Sequence, residues 1–182
     1  MSKNTVVVNL FGGPCCGKST VASGLFYELK CLGIDCELVT EVSKDEIWNG
    51  STDLLKNQPY IFGNQLNRIW RLNGKVDIVV CDSPILLSII YSTENSENFN
   101  NHIIEEHKKF DSINFLLDRT TKFDQNGRVH NEKESKEIDK KIKKLLSKNS
   151  INFYDISGVD SKDVVRQCLA LVREELLYRE DI

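Results

Sequence analysis

The sequence predicts a three-layer, doubly wound α/β fold on a five-stranded parallel sheet. Three observations predict it. Five short apolar runs alternate with stretches of helical spacing, the pattern of a parallel sheet with helices on both faces. The third run, Val76-Asp77-Ile78-Val79-Val80-Cys81, is almost continuously apolar, as a strand buried on both faces requires. A glycine-rich turn joins the first run to the first helical stretch, at the kind of strand end where open parallel sheets hold their ligands.

The elements follow in order. Val6-Val7-Val8-Asn9-Leu10-Phe11 is mostly β-branched and apolar and reads as a buried strand. After the turn, Val21, Leu25, Leu29 and Leu32 keep helical spacing from about Lys18, and Gly33 suits the helix end. Cys36–Thr40 is the second strand, and a mixed helical stretch covers about Lys44 to Leu72. Pro84 fits the first turn of a helix after the third strand. Thr93 to Asn101 is polar and Asn-rich and reads as a loop, followed by a short helix from His102 to Phe110. Ile113–Leu117 is the fourth strand. Arg119 to Asn131 has few apolar residues and a turn signal at Asn126-Gly127. Glu132 to Lys148 is a charged helix with an apolar stripe of Ile138, Ile142, Leu145 and Leu146. Its Glu132–Lys136, Glu137–Lys141 and Asp139–Lys143 spacings suit ion pairs along a solvated face. Ile151–Ile156 is the fifth strand and Val164–Leu177 a closing helix.

The chain has 182 residues, with 40% hydrophobic and 28% charged residues. That suits one globular domain, residues 1–182, able to bury a full core. A net charge of −3 argues against bulk nucleic acid as the main partner. No apolar run is long enough to span a bilayer, and the N-terminus lacks a small-residue cleavage site. The expectation is a cytoplasmic protein without membrane association. Its 6 cysteines form no C-x-x-C pair, so free thiols in a reducing compartment are expected. The 3 histidines show no ligand spacing.

The turn after the first strand reads Gly12-Gly13-Pro14-Cys15-Cys16-Gly17-Lys18-Ser19-Thr20 and fits G-x-x-x-x-G-K-[ST] from Gly12 to Ser19. Gly12 and Gly17 permit close backbone approach and positive φ. Successive N–H groups make an anion nest, and the helix from Lys18 points its positive end at the phosphates. Lys18 supplies a mobile charge for the β- and γ-phosphates. Ser19 offers a hydroxyl to Mg²⁺, and Thr20 is a polar neighbour. The fold class is therefore that of a P-loop NTPase.

The third strand ends in Asp82-Ser83. Asp82 is the expected Mg²⁺ carboxylate. Ser83 stands where water-activating ATPases carry Glu, and the D-x-x-G and N-K-x-D signatures of small GTPases are absent. Phosphate transfer to an acceptor fits better than hydrolysis. Glu41, after the second strand, is a second carboxylate at the same sheet edge. One of the two can hold metal while the other takes a proton from an attacking hydroxyl. Gln65 and Arg68, three apart on one helical face, are candidate acceptor-binding groups, with Tyr60 and Trp48 near them in sequence. Arg119 and Arg128 lie in a polar segment that can close over the phosphates as a lid, about residues 119–137, and offset charge during transfer.

This layout resembles the P-loop kinases of the nucleoside and nucleotide kinase group. It is most similar to the AAA-type kinase module of ribosylnicotinamide kinase domains and to small bacteriophage P-loop kinases. The resemblance spans nearly the whole chain and rests on Gly12–Thr20, Glu41, Gln65, Cys81-Asp82-Ser83, Arg119 and the Asn126-Gly127-Arg128 lid with its charged helix. It implies an ATP- and Mg²⁺-dependent kinase with a helical acceptor-binding region and an Arg-bearing lid. The chain departs from deoxynucleoside kinases, which usually end this strand in D-R-S, by carrying Asp82-Ser83-Pro84. Arg68 or a lid arginine can fill that gap. The expected acceptor is a small nucleoside- or nucleotide-like molecule. Two other readings stay open: a kinase acting on hydroxymethylated bases of phage DNA, and a nucleotide-dependent switch acting on a partner protein. The Asn-, Lys- and Ile-rich composition suits an AT-rich, bacteriophage-like genome. The sequence leaves the oligomeric state open, a homodimer included.

Overall fold

The first apolar run forms the middle of the sheet. A computed structural model of the chain describes residues 4–93, 96–119 and 132–180. Strand β1 (Val6–Phe11) lies between β3 (Ile78–Cys81) and β4 (Asp111–Leu117), with β2 (Cys36–Val39) and β5 (Tyr154–Ile156) at the edges. The order is β2-β3-β1-β4-β5, and every pairing is parallel. The crossovers are made by helices, as parallel pairing demands.

Side-chain alternation along β1 builds two cores. Val6, Val8 and Leu10 face α1 (Lys18–Cys31) and α7 (Ser161–Glu180), where Leu25, Leu29, Cys168 and Val172 are buried. Val7 and Phe11 face a second core with Phe62 and Ile69 of α3 (Gln58–Trp70), Leu87 of α4 (Leu87–Tyr91), Ile103 of α5 (Glu97–Lys108), and Ile138, Ile142 and Leu146 of α6 (Glu132–Lys148). Asn9 falls on this second face and is buried. Its Nδ2 donates to Oδ1 of its register partner Asn114 at 3.0 Å, and Asn114 donates to the Asn152 carbonyl at 2.9 Å. The chain of amides satisfies what burial would otherwise leave unpaired.

Several boundaries differ from the sequence expectation. The segment read as a loop over 93–101 contains the start of α5 at Glu97. Ser96 caps it, its Oγ accepting from the Phe99 N–H, and Glu97, Asn98 and Asn101, among the polar residues that suggested a loop, are exposed on the helix. Pro84 lies a turn before α4 rather than inside it, its carbonyl accepting from the Leu87 N–H at 2.9 Å. The stretch 44–72 divides into α2 (Val42–Trp48), a 3-10 turn (Thr52–Lys56) and α3. Gly50 breaks it at φ 74°, and Asn57 caps α3 by accepting from the Tyr60 N–H. β3 and β5 are shorter than the apolar runs that announce them, and β4 begins earlier, at Asp111. α7 is longer than 164–177. The end of α1 is as expected: Gly33 takes φ 77°, with Gly33 N–H bonded to the Lys30 carbonyl and Ile34 N–H to Leu29.

Of the expected lid, residues 120–131, including Arg128, lie outside the described residues, and 132–137 form the first turns of α6. Among the described residues no helix is long and apolar enough to cross a membrane.

Candidate active site

The glycine-rich turn leaves the carboxyl end of β1, the strand flanked by β3 on one side and β4 on the other. There the winding reverses and the strand ends open into a crevice. Gly12 has φ 148°, and a Cβ on it would sit 2.4 Å from Cys16 Sγ, so only glycine fits. Gly17, at φ 93°, is the N-cap of α1. Cys15 adopts φ 63° without being glycine. Ser19 is half-buried in the first turn of α1, and Thr20 beside it is exposed.

Lys18 folds back over this loop. Its Nζ donates to the Gly12 carbonyl at 2.8 Å and to Gly13 at 3.1 Å. Burial pushes the ammonium pKa down, but the field of Cys16, Tyr91, Glu41 and Asp82 outweighs it and leaves the pKa above its ordinary value. Lys18 is therefore a cation across the neutral range, surrounded by the acidic groups of neighbouring strand ends.

Those groups arrive by register. The Asp82 N–H donates to the Val39 carbonyl at 3.0 Å, which sets the residue after β3 against the end of β2. Asp82 is 5% exposed, and its Oδ1 has no hydrogen-bond partner. Glu41 occupies the N-cap position of α2 with extended backbone. Gln65, 3% exposed, grips the chain on both sides of Glu41. Its Oε1 accepts from the Val42 N–H at 3.1 Å, and its Nε2 donates to the Thr40 carbonyl at 3.2 Å. Arg68 donates to the same carbonyl and to Thr40 Oγ1, both at 3.2 Å, and pairs with Asp45 at 2.6 Å. Both side chains expected to face an acceptor thus converge on the Thr40–Val42 backbone. Arg68 also lines a recess of about 300 Å³ beside β2. Tyr60 donates to Glu46 at 2.8 Å, while Trp48 is 78% exposed.

Opposite, α6 lies against the loop. The Gly13 N–H donates to Asp139 Oδ1 at 2.6 Å. Arg119, just beyond β4, donates from Nη1 to the Pro14 carbonyl at 2.7 Å and from Nη2 to Ser135 Oγ at 2.5 Å. It also pairs with Asp139 at 2.8 Å. Ser135 Oγ donates to the same Pro14 carbonyl at 2.6 Å. Asp139, expected to pair with Lys143 on a solvated face, is instead part of the site, and Lys143 pairs with Asp155 of β5 at 2.7 Å. Glu137 likewise takes Lys140 at 2.8 Å rather than Lys141.

Tyr91, Ser135 and Asp139 were not legible as site residues. Tyr91 ends an apolar helix, and nothing in its neighbours marks it. Burial pushes its hydroxyl pKa up, against the pull of Lys18. Ser135 and Asp139 are four apart, hence on one helix face directly after the arginine segment, and that spacing is the signal that could have found them.

The donor set fits a magnesium ion. Asp82 offers a buried carboxylate oxygen without a partner and Ser19 a hydroxyl at the loop end, the small set of protein oxygens that this ion accepts. Mg²⁺ keeps several waters and takes substrate phosphate oxygens. No cysteine is in a disulfide among the described residues, and burial pushes Cys81 and Cys168 to about 12, so neither is a nucleophile.

Comparison with known proteins is consistent with this geometry. A family model described as an AAA domain matches residues 7–163. Thymidylate kinase from Ehrlichia chaffeensis is similar in structure, with TM-score 0.59 and 14% identity over 97% of this chain and 100% of that one. Deoxyadenosine kinase from M. mycoides, solved with dCMP and a flexible dCDP bound, has TM-score 0.52 and 16% identity over 96% of this chain and 99% of that one. At such identities the likeness is one of fold, and the fold is that of the nucleoside and nucleotide kinases. A search of curated proteins gives no match.

Proposed function

The chain belongs to the AAA domain family, and on that premise we propose that it is a kinase moving the γ-phosphate of ATP to a hydroxyl or phosphate of a small nucleoside-like acceptor. The observation that carries this reading is the pair of carboxylates from adjacent strand ends, Glu41 and Asp82, around a loop lysine, with Ser83 where a hydrolase would keep its water-activating glutamate.

Each residue has a task in that reading. The loop N–H groups from Cys15 to Thr20 and the Lys18 ammonium hold the phosphates, and Lys18 exchanges its carbonyl partners for phosphate oxygens. Asp82 and Ser19 hold Mg²⁺, which supplies charge neutralisation on the phosphates. Glu41 accepts the proton of the acceptor group as its oxygen bonds to phosphorus and the bond to the leaving diphosphate breaks. Gln65 and Arg68 set Glu41 by fixing its flanking backbone. Arg119, oriented by Asp139, and Arg128 of the lid offset charge in the transition state.

The test is transfer of label from γ-labelled ATP with Mg²⁺ to nucleosides, nucleoside monophosphates, nicotinamide riboside, and plain and hydroxymethylated DNA. One small acceptor is expected to be labelled. Lys18→Ala should abolish the signal, and Glu41→Gln should lower kcat by about 10²–10⁴ with ATP still bound. Label only as free phosphate, or transfer by Lys18→Ala at the wild-type rate, would sink the reading.

A further inference from the structure

Helix α6 carries lysines on more than one face, and they differ in company. Lys140 and Lys143 are paired with Glu137 and Asp155. Lys141, Lys144 and Lys148 make no ion pair among the described residues, although Lys141 lies near enough to Glu137 to help hold its carboxyl pKa down, and all three line one recess of about 380 Å³ between α6 and α4. Their spacing, three and then four residues, stacks them on a single helix face. The floor between them is apolar, made of Ile89, Ile90 and Leu145, and Ser92 adds a hydroxyl.

This recess is not the phosphate loop. Asp139, the α6 residue that touches Gly13, lies two residues before Lys141 and nine before Lys148, so the recess extends from about 3 to about 13 Å beyond it along the helix axis. α6 runs from the carboxyl edge of the sheet, where the loop lies, back towards the start of β5 at the opposite edge. The walls are nonetheless shared, because α4 ends in Tyr91 beside Lys18 and α6 carries Asp139.

We infer that the α4–α6 recess is a second anion-binding site, built for a nucleoside polyphosphate whose phosphates meet Lys141, Lys144 and Lys148 and whose apolar part lies on Ile89, Ile90 and Leu145. Three ammonium groups in one concavity, none in an ion pair among the described residues, are a local positive field on a chain with net charge −3, which attracts a polyanion. The apolar floor selects a ligand with a flat uncharged portion over a bare phosphate chain. The apolar floor between the lysines favours a small molecule over a nucleic-acid backbone, which would meet charge alone.

The experiment is equilibrium binding of a non-hydrolysable nucleoside triphosphate to the full chain. The wild type, Lys18→Ala and the double variant Lys141→Ala/Lys144→Ala are compared. A second nucleotide per chain is expected in the wild type. The double variant should weaken that one site by at least about tenfold, the size of a lost charge-assisted hydrogen bond, and keep the other. Lys18→Ala should do the converse, and inorganic triphosphate should bind the second site at least about tenfold more weakly than the nucleotide. One nucleotide per chain, lost in Lys18→Ala and untouched by the lysine pair, overturns the inference. So does a recess that prefers a single-stranded oligonucleotide to the nucleotide, or inorganic triphosphate bound as tightly as the nucleoside form. Failure of phosphate transfer in the kinase assay leaves this binding count unaffected, so the two readings fail separately.

Discussion

A buried carboxylate oxygen with no partner is costly to a folded chain, and Asp82 carries one. Its persistence at the end of β3 fits a group kept for a ligand rather than for stability. Asp82→Asn should therefore separate the two demands. The melting temperature of the ligand-free protein should rise by about 2–4 °C, the response to roughly 1 kcal/mol in a chain of this size, while Mg²⁺-dependent phosphate transfer is lost. A variant that melts lower than wild type would mean that Asp82 holds the fold and that its oxygen is satisfied in solution. Lys18 is the complementary case. Its ammonium bonds two loop carbonyls, so the loop keeps its shape around a cation that can later exchange partners.

At the level of elements, legibility followed periodicity. β1, α1 and α6 were readable because their apolar residues recur at the right spacing over several turns or over a full strand. The glycine-rich loop was readable because its residue types are dictated by backbone geometry at Gly12 and Gly17. What was hidden depends on tertiary partners. Gln65 and Arg68 look like ligand-facing polar residues of an amphipathic helix, yet both amide ends of Gln65 bond to the chain around Glu41. Asp139 looks like half of a surface ion pair, yet it meets Arg119 and Gly13, which no local pattern could disclose. The end of α6 offers its own test. Ser150 takes φ 54° in the position where Gly33 serves α1, and the Ile151 N–H bonds the Leu146 carbonyl as in a glycine-ended helix. Ser150→Gly removes the Cβ strain and should stabilise the protein by about 0.5–1 kcal/mol, read as a higher denaturant midpoint at unchanged slope. An unchanged or lower midpoint would show that the strain is absorbed elsewhere.

For the molecule as a whole, His107 sets an acid limit. It is buried at the end of α5, and desolvation, with Lys108 adding to it, pushes its pKa down to about 4. The unfolded chain takes up a proton near 6.5, so the folded state has its full stability above that value and loses it as pH falls towards 4. The loss is on the order of 3 kcal/mol. Denaturation midpoints between pH 7.5 and 4.5 should fall steeply in the wild type and more gently in His107→Gln; parallel curves would assign the acid response to other groups. The distribution of the two tryptophans carries a last consequence. Trp48 and Trp70 are 78% and 67% exposed, at the end of α2 and of α3, and neither lies in α1, α6 or α7. Intrinsic emission is therefore a one-sided optical reporter. It should be red-shifted and accessible to iodide, shift when an acceptor settles near α3, and stay dark to nucleotide at the loop. An equal spectral change with ATP alone would mean that the two halves move as a unit.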